Sequence, residues 1–196
     1  MSTTRDSIAA EFATVDAVLA CGGTTRRVDA LALAWIKMEK QVRRLFCYLV
    51  FQSPDISDTN LDDYVAVLVA NRNLYSDSFI RGFDALCPTS LRQLVGDGYD
   101  DYLREIERIK RYRNKLLHGQ ISGMRIKSSQ LEKDIKLLRR WVCVVAESCS
   151  AAVAYDGFGR NTFRKAKSAE RFVVAKYPFT SALTFEKWLA GSIAKP

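Results

Sequence analysis

Thr25–Phe51 reads TRRVDALALAWIKMEKQVRRLFCYLVF. Its apolar residues Leu31, Trp35, Met38, Val42, Leu45, Phe46 and Leu49 recur every three or four positions. A helix gathers them on one stripe, whereas a half-buried strand needs strict alternation. A helix of this length with one apolar stripe must be covered by other elements, and the flanking sequence supplies them in the same period.

Thr4 to Ala20 is predicted as a helix that stops at Gly22-Gly23. Beyond Phe51, Pro54 and an acidic loop with Asp55 and Asp58 intervene. Asp58 or Thr59 is placed to cap a helix carrying Leu61, Tyr64, Val65 and Leu68. Ser76 to Leu94 reads as two short helices broken at Pro88. Gly96 and Gly98 mark a turn before a long helix, Tyr99–Leu117, that ends at Gly119. A last helix begins after Ser129, with Glu132 three residues on as a capping box. Its stripe is Leu131, Ile135, Leu138, Val142, Val145, Cys149 and Val153. Only Phe172–Tyr177 has strand character. The expected fold is therefore all-α: an up-and-down helical bundle of about five helices over residues 1–156, followed by a basic, aromatic C-terminal extension, 157–196. The extension holds Phe158, Phe163, Phe172, Phe179, Phe185 and Trp188, too many rings for a free linker, and is expected to pack on the bundle or on a partner subunit.

Composition excludes several classes. The chain has 196 residues, 48% apolar and 11% aromatic, with only ten Gly and four Pro, which rules out collagen-like and disordered chains. The longest apolar run, Trp141–Tyr155, is interrupted by Glu147, Ser148 and Ser150, so no membrane span is expected. Arg5, Asp6, Glu11 and Asp16 leave no room for an apolar leader. A soluble, cytoplasmic protein is the expectation. The five Cys are odd in number and form no CxxC, as reduced thiols do. One His leaves no Cys/His zinc site, and neither a metal nor a cofactor is expected. Asp55, Asp58, Asp62 and Asp63 read as a solvated loop and helix start. Neither G-x-x-x-x-G-K-[ST] nor G-x-S-x-G occurs.

The net charge of +8 is unevenly spread. Residues 1–103 carry a net −4, residues 104–127 a net +6, and residues 157–196 another +6. Such asymmetry points to a polyanionic partner, most often nucleic acid. On a wheel of about 100° per residue, Tyr102, Ile106, Ile109, Leu116 and Leu117 share the packing face of the Tyr99–Leu117 helix. Arg104, Arg108, Arg111 and Lys115 form a basic ridge opposite, placed for phosphate contacts. Arg113 breaks the pattern. It lies in the middle of the apolar face, where a guanidinium must be paired or must face a cleft. His118, the single histidine, follows at the helix end.

The segment Ile109-Lys110-Arg111-Tyr112-Arg113-Asn114-Lys115-Leu116-Leu117-His118-Gly119-Gln120 resembles the signature of the HEPN superfamily. Its ribonuclease members carry Arg, a polar residue, three variable residues and His near the end of a bundle helix; here these are Arg113, Asn114, Lys115-Leu116-Leu117 and His118. The resemblance implies a homodimer whose motif helices face each other, and metal-independent RNA cleavage in a shared cleft. It implies Arg113, His118 and Asn114 as catalytic residues. It also implies a toxin or anti-phage effector held silent by an antitoxin or another regulatory protein. A subgroup has a Tyr two residues after the His. Here that position is Gln120, which puts silencing by tyrosine adenylylation in doubt.

Those residue types suit the chemistry. Cleaving RNA through its 2′-OH needs a base, an acid and cations at the phosphorane. His titrates near neutrality and can be either acid or base, and Arg grips a phosphate with two parallel hydrogen bonds. A single His per chain means that a two-His mechanism requires a dimer. Arg160, Arg164, Lys165 and Lys167 are further candidates for RNA contacts. Two other readings stay open: a HEPN-like module that binds RNA or a protein without cutting, and a DNA-binding regulator or other helical interaction protein.

Overall fold

The apolar stripes fold as eight α-helices and a π-helical turn in the computed structural model, which describes residues 4–71, 74–117, 126–158 and 177–193. The helices are α1 (Thr4–Ala20), α2 (Arg26–Val50), α3 (Leu61–Ala70), α4 (Ser76–Leu86), α5 (Leu91–Val95), α6 (Tyr99–Leu117), α7 (Ser128–Val153) and α8 (Ala182–Trp188), with the π turn at Leu189–Ile193. No strand occurs among the described residues, so the class is all-α. Eight helices stand where about five were expected. Pro88 separates α4 from α5, and the C-terminal segment contributes α8. Of the stretch Phe172–Tyr177 only Tyr177 lies within the described residues, and it is not in a strand. No described helix is long and apolar enough to cross a membrane.

The chain forms two compact units, Met1–Gln41 with Leu94–Gly159 and Val42–Gln93 with Arg160–Pro196. The boundary falls inside α2. In the first unit, α1 and α6 pack on α7. Phe12 and Val15 of α1, Leu31, Trp35 and Met38 of α2, Ile109 and Tyr112 of α6, and Leu138, Trp141 and Val145 of α7 fill its core. Each large side chain removed from water contributes about 1.5–3 kcal/mol. Past α7 the chain turns through Ala154 in the left-handed region and through Gly157 at φ +88°. Buried Gln41 ties this turn down, its Nε2 donating to the carbonyls of Val142 (2.9 Å) and Asp156 (3.1 Å). A Cβ on Gly157 would meet Gln41 Cγ at 2.7 Å, so the close approach and the backbone both select glycine.

The second unit is built on rings. Tyr64 of α3 meets Phe179 and Phe185, at centroid distances of 6.2 and 5.4 Å, and Phe179 and Phe185 meet edge to face at 4.8 Å. Phe46 packs on Phe79 and Trp188. Gly82 lets α4 approach Phe46 closely, since a Cβ there would sit 2.4 Å from the ring. Arg81 Nη2 donates to the carbonyl of Ile193 (2.6 Å), and the Leu91 amide at the head of α5 donates to Asp84 Oδ1 (2.6 Å). Phe179, Phe185 and Trp188, read from sequence as part of an extension, thus supply core to this unit.

Two expected caps are corrected. α7 starts at Ser128 with Lys127 as N-cap and no side-chain cap. The Ser129–Glu132 box does not form: Ser129 lies inside the first turn rather than at the cap, and the Glu132 carboxylate accepts from Arg27 Nε at 2.5 Å. α3 is preceded by Asn60 rather than capped by Asp58 or Thr59. The Asn60 side chain turns back instead, accepting from Ser57 N (2.8 Å) and donating to Asp55 O (2.9 Å). The box that does form heads α8, between Ser181 and Thr184.

Candidate active site

α6 begins with Asp100 and Asp101, whose charges suit the positive helix end, and buries Tyr99, Ile106, Ile109 and Tyr112. Tyr112, about 80° from Tyr102 on the wheel, joins the buried face. Beside it is Asp134, a carboxylate 1% exposed within the apolar stripe of α7. It accepts from Arg108 Nη2 (2.5 Å), from Gln130 Nε2 (2.9 Å) and from the Tyr112 hydroxyl. Arg108 also meets Glu105 at 2.8 Å. The hydrogen bond to Asp134 raises the Arg108 pKa against the opposing effect of burial, and burial with Asp134 beside it drives the Tyr112 hydroxyl above the ordinary tyrosine range. A buried acid is therefore fully partnered, and it clamps α6 onto α7.

Arg113 follows Tyr112 and is held differently. Its guanidinium lies 4.4 Å from the centre of the Trp35 ring, and Nη2 lies 3.5 Å from Glu39 Oε1. Nη1 donates to Asn114 Oδ1 at 2.8 Å. Nε is buried without a hydrogen-bond partner. Burial lowers the Arg113 pKa, and Glu39 opposes the shift. A guanidinium has five N–H donors. Arg108 spends its donors on two carboxylates, whereas among the described residues Arg113 makes one side-chain hydrogen bond and one longer ion pair.

The ridge residues are mostly occupied. Arg104 pairs with Asp101 at 2.9 Å, Arg108 with Glu105 and Asp134, and Arg111 with Glu107 at 3.9 Å. Lys115 is exposed and has no ion pair among the described residues. Arg113 and Asn114 are brought together in the last turns of α6. His118, and with it Arg160, Arg164, Lys165 and Lys167, lies outside the described residues. Among the described residues no group of three His, Cys, Asp or Glu is arranged to hold a metal ion.

Sequence reading missed Glu39, Trp35 and Asp134. Asp134 carried a signal, since it falls within the Leu131–Ile135–Leu138 stripe as anomalously as Arg113 does on α6. Glu39 and Trp35 carried none, because their role depends on which helix lies beside α2.

Comparison of the chain with models of known families, with curated proteins and with solved structures found no match.

Proposed function

We propose that the protein is a metal-independent endoribonuclease of HEPN type, acting as a cytoplasmic homodimer and serving as a toxin or anti-phage effector. In this reading α1, α2, α6 and α7 belong to an up-and-down bundle, and Arg113, Asn114 and His118 form the centre. The observation that supports it is Arg113, a largely buried cation on the packing face of α6 with most of its donors unspent among the described residues. Low local polarity strengthens its pull on a phosphate, and Asn114 fixes its orientation. His118 supplies acid or base, and a second copy supplies the complementary group.

The test is cleavage of total cellular RNA in EDTA by the wild-type protein and by His118→Ala. Cleavage that survives EDTA and is lost in the variant is expected. A strictly monomeric preparation that retains full His118-dependent activity would sink the dimeric site.

One observation favours a second reading, a catalytically silent HEPN-like module that binds RNA or a protein. Glu39 and Trp35 together accommodate the Arg113 charge with no substrate present. Under that reading the wild-type protein binds RNA and leaves it whole.

A further inference from the structure

Most of the cations of α6 are already paired. Arg104, Arg108, Lys110, Arg111 and Arg113 of α6 each have a carboxylate in reach. On α7, by contrast, Lys133, Lys136 and Arg140 are exposed and have no carboxylate within ion-pair distance among the described residues. Glu132, one turn from Lys136, is already taken by Arg27. At spacings of three and four residues the three cations share one face of α7, spread over about 10 Å of helix.

That face borders a groove. Two cavities of about 690 and 720 Å³ lie between α6 and α7 and share Glu105 and Lys133, so they are successive reaches of one channel. On the α6 wall Asp101 pairs with Arg104, while Arg108 is shared between Glu105 and Asp134, so that trio keeps one net negative charge. Lys127 stands at one end, and Asp97, a carboxylate with no ion pair among the described residues, shares the other cavity with Arg140. Lys127, Lys133, Lys136 and Arg140 therefore leave the channel positive. Between the walls Tyr102 is half-buried, its ring leaning on Trp141 at a centroid distance of 5.5 Å, with its remaining surface toward the cavity. A line of cations without ion pairs beside an aromatic ring in a groove is how proteins hold a single nucleic-acid strand, phosphates on the cations and a base on the ring.

We infer that the α6–α7 groove seats a single strand of RNA, with Lys133, Lys136 and Arg140 on consecutive phosphates and Tyr102 under a base. The choice of RNA rests on the ribonuclease reading above; the placement on α7 does not.

The experiment measures binding of a labelled single-stranded RNA of about 15 nucleotides. It compares His118→Ala, which serves as an uncut background, with His118→Ala carrying Lys133→Gln, Lys136→Gln and Arg140→Gln. Single strands lose about 0.7 in the slope of log K against log salt per phosphate contact, so the three substitutions should flatten the slope by about 2 and weaken binding at least about tenfold. Arg5→Gln with Lys187→Gln, two exposed cations that do not line the groove, should leave the slope where it was. An unchanged slope in the α7 variant, with its far-UV spectrum and melting temperature intact, overturns the inference. So does an equal loss in the control variant, tighter binding to DNA of the same sequence, or tighter binding of poly-glutamate than of the RNA. The two readings fail separately. Wild-type cleavage with an unchanged α7 slope removes the groove and keeps the ribonuclease. RNA binding that depends on the three α7 cations, without wild-type cleavage, does the reverse.

Discussion

Arg113 of α6 and Glu39 of α2 form an ion pair at 3.5 Å, with the guanidinium lying over the Trp35 ring at 4.4 Å. The side chains are 19% and 33% exposed, so the charges are partly but not wholly removed from water. Glu39→Gln leaves Arg113 with a weaker partner and should destabilise the protein by about 1–2 kcal/mol in a denaturant titration. Replacing both residues with apolar ones, Arg113→Met with Glu39→Leu, should cost much less, because no charge is stranded. The same double variant should lose RNA cleavage altogether. If it stays folded and still cuts, Arg113 has no part in the chemistry.

Asp134 is the most heavily committed carboxylate of α7. Asp134→Ala would leave Arg108, Tyr112 and Gln130 facing an empty site and should cost about 3–5 kcal/mol, read from the denaturation midpoint. Asp134→Asn, which keeps an acceptor of the same shape, should cost less. Equal losses in the two variants would show that packing, rather than the hydrogen-bonded charge, holds α6 to α7 there.

Glu11 sets part of the acid limit. Burial pushes its carboxyl upward, but Lys40 at 2.5 Å and Lys37 at 3.2 Å outweigh it and hold the pKa below the ordinary 4.5. A pKa lower in the folded than in the unfolded state adds stability that is complete above the unfolded value and lost as pH falls through the folded one. Glu11→Gln should therefore be less stable than wild type at pH 7, by up to about 1 kcal/mol, with the gap closing below about pH 4. A gap that persists in acid would assign the loss to packing.

Gly82 lies against Phe46. Gly82→Ala should cost about 1–3 kcal/mol through overpacking, and adding Phe46→Leu should recover part of it. Strictly additive losses in the double variant would show that the two positions do not collide.

Helix positions were legible because helical periodicity is local. The Thr25–Phe51 stripe marked α2, Tyr99–Leu117 marked α6, and Pro88 marked the break between α4 and α5. Arg113 was legible as an anomaly for the same reason, since a wheel needs only neighbours in sequence. Caps were less so. Glu132 suits a capping box by spacing, but a distant Arg27 claimed its carboxylate.

By itself, then, the sequence determined an all-α chain, the faces its helices bury, and one charged residue that those faces had to accommodate. Only the tertiary structure decided that Glu39 and Trp35 receive Arg113, and that Asp134 consumes Arg108 and Tyr112. It also decided that Phe179 and Phe185 join Tyr64 in a core, and that Lys133, Lys136 and Arg140 of α7 stand without an ion pair among the described residues while most cations of α6 are paired. The physical reason is range. Hydrophobic periodicity is written in successive residues, whereas the pairing and burial of a charge depend on side chains that the fold alone brings within a few ångströms.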